Sequence, residues 1–160
     1  LRQRGAPPPP LDVPSHGPPG VRRLLVVANE TVGGSELLSR IAEVARRDRT
    51  EVFVVSPALN SRLRHWTSDE DAAREAAQER LERSLERLAA AGVQASGQVG
   101  DEDPVQAVED ALRTFGADEI IVSTHPPGRS NWLEQDVVER VRARVTVPVT
   151  HVVVDLAADR

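Results

Sequence analysis

Apolar residues in this chain come as short unbroken runs set between stretches of helical periodicity. "RRLLVVAN" (22–29) and "EVFVVS" (51–56) are continuous runs of the kind that fills a strand buried on both faces. Between them, Leu37, Leu38, Ile41, Val44 and Ala45 recur on one helical face. A long second helix is predicted from about Ser68 to Ala91. Its stripe is Ala73, Ala77, Leu81, Leu85 and Leu88, and Gly92 is its stop. Val93, Ala95, Gly97 and Val99 then alternate as a weaker third strand.

"DEDPVQAVEDALRTFG" carries the clearest helix signals. Asp103 suits the cap, Pro104 the first helical position and Gly116 the end, and Gln106 would complete a capping box. "DEIIVS" (118–123) reads as the fourth strand. A helix over 131–144 follows, with Asn131 and Glu134 as a second capping box. "VPVTHVVVDL" is the fifth strand, with Pro148 at its start, where a missing N–H does little harm. Five strands alternating with four helices predict an α/β fold: a doubly wound parallel sheet with right-handed crossovers and helices on both faces. Ligands in such folds sit beyond the carboxyl ends of the strands, where the strand order reverses.

Before this domain, placed at 21–156, the proline-rich residues 1–20 hold little that could be buried. They read as a disordered or polyproline tail or a linker, and 157–160 as a short C-terminal tail.

Composition narrows the chemistry. All 20 basic residues are arginine, a usage that suggests a GC-rich bacterial source. With no cysteine there is neither a disulfide framework nor a thiolate nucleophile or metal ligand. A formal charge of -5, with no basic stripe, gives no reason to bind nucleic acid. No apolar run approaches the ~20 residues of a membrane span. A soluble cytoplasmic protein with no membrane partner is the expectation. His65, His125 and His151 lack zinc-like spacing, His151 is expected to point off the fifth strand, and "SDED" (68–71) lacks the calcium-loop pattern, so no metal is expected.

Three stretches, "RRLLVVANET", "GDEDPVQAVEDALRTFGADEIIVSTH" and "VVERVRARVTVPVTHVVV", together resemble the universal stress protein domain over residues 21–156. The resemblance implies a strand order 3-2-1-4-5, an adenine nucleotide alpha-hydrolase-like topology, and dimerisation. The switch point would then lie where Asn29 to Gly34 meet Ser123 to Asn131. The fifth strand would be a sheet edge, and Val149, His151 and Val153 on it are the expected homodimer contacts.

In one branch of that family ATP is bound through Gly-x2-Gly-x9-Gly-Ser/Thr after the fourth strand. Laid on this chain, the first two glycines fall on Ser123 and Pro126, and the closing pair on Asp136-Val137. The adenine-contacting aspartate of that branch corresponds to Asn29, whose side-chain oxygen still accepts a hydrogen bond. The expected crevice residues at the first and second strand ends are Val27, Asn29, Gly33, Gly34 and Pro57. Those after the fourth strand are Ser123, Thr124, His125, Gly128, Arg129, Ser130 and Asn131. In "GRSN" (128–131), Arg129 beside a helix start could hold a phosphate-like anion. A plain helix cap explains the same residues, as a simple turn explains Gly33 and Gly34.

Ser123, His125 and Asp136 invite a triad reading, but no Gly-x-Ser-x-Gly elbow surrounds the serine. The reading that results is a dimeric, non-catalytic regulatory or interaction module without tight ATP binding. The alternatives are a member that binds ATP, AMP or another small ligand in the crevice, and an enzyme of the wider nucleotide-hydrolysing superfamily.

Overall fold

The computed structural model describes residues 20–28, 34–57, 70–100, 103–124 and 132–155, apart from the side chains of 70, 71, 73 and 132–135. Five strands make one sheet: β1 (Arg22–Val27), β2 (Thr50–Pro57), β3 (Ala95–Gly100), β4 (Glu119–Thr124) and β5 (Val149–Val153). The spatial order is β3-β2-β1-β4-β5, and all four pairings are parallel. Between successive strands run α1 (Ser35–Arg47), α2 (Glu70–Ala90), α3 (Pro104–Thr114) and α4 (Trp132–Arg144). The doubly wound α/β fold and its 3-2-1-4-5 order are as expected.

Alternation along the buried strands divides the core in two. Leu24 and Val26 of β1, with Ala28 just past its end, pack with Val52, Val54, Ile121 and Val152 beneath Leu37, Ile41, Leu81 and Leu88 of α1 and α2. Leu25 and Val27 point the other way, with Val55, Ile120 and Val122, against Val105, Val108, Leu112, Val138 and Val141 of α3 and α4. Two covered faces explain why β1 and β4 read as unbroken apolar runs.

Helix ends follow local chemistry. Gly92 adopts φ +82°, beyond the reach of most side chains, and closes α2. Its N–H reaches Ala89 O at 3.0 Å and the Val93 N–H reaches Leu88 O at 2.9 Å, while Val93 and Leu88 share the core. Gly116, at φ +71°, ends α3 the same way, donating to Leu112 O at 3.0 Å. At the start of α3, Asp103 Oδ1 accepts from Val105 N at 3.0 Å, and Pro104 takes the first position. The Gln106 side chain also acts along the helix. Its amide donates forward to Asp110 Oδ1 at 2.9 Å, an exposed bond between successive turns that uses the side chain along the helix surface.

Strand β3 is shorter than its sequence pattern suggested, because Val93 is drawn into the core by the end of α2. Its glycines fit close quarters. A Cβ on Gly97 would lie 2.6 Å from Val54 O, and one on Gly100 would lie 2.8 Å from Val55 Cγ2.

At the amino ends of the strands, Arg22 meets Glu119 at 2.6 Å, a hydrogen bond that raises the arginine pKa further. Arg23 N donates to Asp118 Oδ2 at 2.9 Å. On the far face, Glu109 bridges α3 to α4 by accepting from Arg144 Nε at 2.8 Å.

Candidate functional site

The order β3-β2-β1-β4-β5 reverses direction between β1 and β4, so a cleft is expected beyond their carboxyl ends. Val27 pairs with Val122 in register, which brings Ala28 level with Ser123. Val27, Ser123 and Thr124 are all buried there, and Pro57 closes β2 beside them. Gly34 caps the start of α1 with φ −69°, so the left-handed freedom of glycine is not used at that turn. Val27, Pro57, Ser123 and Thr124 thus lie at the carboxyl ends of β1, β2 and β4, and Gly34 at the start of α1. Asn29, Gly33, His125, Gly128, Arg129, Ser130 and Asn131, with Pro126 and Pro127, lie outside the described residues.

Alternation puts Thr124 on the α4 face with Val122, and its Oγ1 lies 2.6 Å from His151 Nε2. The backbone N–H of Val154 donates to Thr124 O at 2.8 Å, so the last residue of β4 is tied to β5 twice. His151, expected to point away from the fifth strand, instead turns toward its neighbour. The reason is register: Val122 faces His151 and Thr124 faces Val153, which leaves the ring and the hydroxyl diagonal on one face.

Ser56 adds a feature that the apolar run hid. It follows Val54 by two positions and therefore faces α1 and α2 near the end of β2. The residue is fully buried, and among the described residues its Oγ has no hydrogen-bond partner. An unsatisfied buried hydroxyl costs on the order of 1–3 kcal/mol, so its retention marks the strand end as a place to look for a ligand or a water. A serine closing the run "VFVV" was the only signal in the sequence.

The two positions matched to the closing Gly-Ser of the ATP motif are well defined. Asp136 and Val137 lie a full turn inside α4, where backbone N–H groups are already spent on the helix. Asp136 is exposed, while Val137 packs against the core beside Val138 and Val141. Neither position can offer a bare loop N–H to a phosphate.

A shallow groove of about 350 Å³ runs on the other side of the sheet, between α1 and β5. Ser35, Glu36, Ser39, Arg40 and Glu43 line one wall and Val152 the other. Among the described residues, no three His, Asp or Glu side chains come together as a metal-binding group, and no helix is long and apolar enough to cross a membrane.

Comparison with known proteins accords with this geometry. The model of the universal stress protein family matches residues 20–153. A universal stress protein family member from Burkholderia pseudomallei superposes with a TM-score of 0.60 at 21% identity, covering 85% of this chain and 98% of its own. The universal stress protein from Archaeoglobus fulgidus gives 0.59 at 20% identity, covering 82% and 97%. A universal stress protein from Archaeoglobus fulgidus in complex with dAMP gives 0.56 at 22% identity, covering 82% and 96%. No curated protein matches the chain in sequence.

Proposed function

The chain belongs to the universal stress protein family, and from that premise we propose that it is a dimeric, non-catalytic regulatory or interaction module that does not bind ATP tightly. The observation that carries the reading is the placement of Asp136 and Val137 in mid-helix. A phosphate cradle needs free backbone N–H groups and a close approach of the chain, which glycine permits. Here one position is a carboxylate that repels phosphate and the other is a valine committed to the core. Upstream in the same motif, Pro126 has no N–H to offer.

Dimerisation rests on β5. As a sheet edge it presents unpaired backbone groups, and Val153 is the one large apolar side chain exposed among the described residues, at 37%. Light scattering of the parent chain should give a dimer at micromolar concentration, and Val153→Pro, which removes an N–H from the edge, should give a monomer. Titration calorimetry with Mg-ATP should find nothing tighter than about millimolar. A dissociation constant near ~10 μM, or ATP released from the purified protein on denaturation, would overturn the reading.

A second reading keeps a small ligand in the crevice, and Ser56 favours it. Among the described residues its buried hydroxyl has no partner at the strand end, and a family structure of the same fold holds dAMP. AMP or a phosphate-like anion is the ligand class this reading predicts, with Ser56 and the β1 and β4 strand ends supplying polar contacts in place of a glycine loop.

A further inference from the structure

We propose that the α1–β5 groove is the flank of a two-fold interface in which Arg40 of one copy meets the carboxylates of Glu36 and Glu43 on α1 of the other. The inference deepens the dimer reading above and rests on it. Helix α1 packs over the edge strand through Leu37 and Ile41, which share a cluster with Val152 and Val154. The groove beside it therefore lies on the side of the edge strand, where a second copy paired with β5 would meet the polar wall of α1.

That wall carries a charge pattern of acid, base, acid. Glu36 lies four residues before Arg40 and Glu43 three after it, so all three share one side of the helix. Among the described residues Arg40 has no ion-pair partner, whereas Glu43 is already met by Arg47 at 2.6 Å. A two-fold axis that pairs β5 antiparallel with its copy also lays α1 antiparallel to its copy, on the same face of the joined sheet. The acid-base-acid pattern reads alike in both directions. Whichever way the copies slide by about one turn, an arginine is offered an acid. Across a two-fold axis each such contact forms twice, Arg40 to an acid of the copy and that acid's counterpart to the copy's Arg40, so the wall is complementary to its own copy.

Charge reversal tests this on the full chain by sedimentation equilibrium. Arg40→Glu makes the wall wholly acidic, and the double variant Glu36→Arg/Glu43→Arg makes it wholly basic. Each variant alone should dimerise at least ~10-fold more weakly than the parent, and an equimolar mixture should recover affinity to within ~3-fold, as a heterodimer. All three positions are exposed, and circular dichroism will verify that the fold is kept. If Val153→Pro abolishes the dimer while both charge variants stay within ~2-fold of the parent, the edge pairs without this groove and the inference fails. If the parent is itself a monomer, the dimer reading falls and takes the inference with it.

Discussion

The guanidinium carbon of Arg23 lies 4.0 Å above the centre of the Phe115 ring. Phe53 is stacked on the same Phe115 ring, with ring centres 5.1 Å apart and planes 23° apart. The chain's only two phenylalanines and one arginine thus join β1, β2 and the end of α3 at the amino side of the sheet. Arg23 is also held by Glu51 at 3.4 Å, so its charge is balanced as well as stacked. A double-mutant cycle between Arg23→Ala and Phe115→Leu should give a coupling of about 0.5–2 kcal/mol by urea unfolding. Additive effects would mean that the ring and the cation contribute independently.

Alanine at Gly97 should destabilise the protein by about 1–3 kcal/mol, since its Cβ would meet a backbone oxygen that cannot move aside. Gly92→Ala should cost a comparable ~1–2 kcal/mol for a different reason. Nothing lies within 4 Å there, but φ of +82° strains any side chain. Substituting Asn for each glycine separates the two causes by thermal melting. Asn tolerates left-handed backbone, so it should recover much of the loss at position 92 and deepen it at position 97.

Asp103→Ala should cost about 1 kcal/mol through loss of the cap on Val105. Asp103→Asn should keep most of that stability, because the pair with Arg140 at 3.6 Å is exposed on both sides and contributes ~0–1 kcal/mol. Equal losses for the two variants would shift the credit from the cap to the ion pair.

Ser56→Ala discriminates between the two functional readings. If the hydroxyl serves nothing, removing it should leave the melting temperature unchanged or slightly higher, within about 0.5 kcal/mol. A loss of ~1 kcal/mol or more, or a several-fold weaker affinity for AMP, would reveal a partner at the end of β2.

Elements and caps were legible because their causes are local. Apolar runs, the Asp103-Pro104 pair and the closing glycines act within a few residues of where they stand. The strand-end positions Val27, Pro57, Ser123 and Thr124 followed from topology, which alternation and family resemblance supplied together. What escaped depends on register or on distant partners. The His151–Thr124 contact needs the offset of β5 on β4, and the Glu109–Arg144 bridge needs the angle at which α4 crosses α3. That Ser56 finds no partner among the described residues depends on what packs around it, which no local pattern records.

Because β1 lends alternate residues to both halves of the core, neither half can open without disturbing the other. Leu24 and Val26 anchor one side and Leu25 and Val27 the other, so the central strand is the hinge pin of a single cooperative unit. Amide protons on β1 should therefore exchange with solvent deuterium only when the whole molecule unfolds. The glycine-bearing β3 at one rim, and β5 at the other while the chain is a monomer, should exchange earlier through local openings. In a dimer the β5 amides would fall silent too, so the exchange rate of that rim reports association residue by residue.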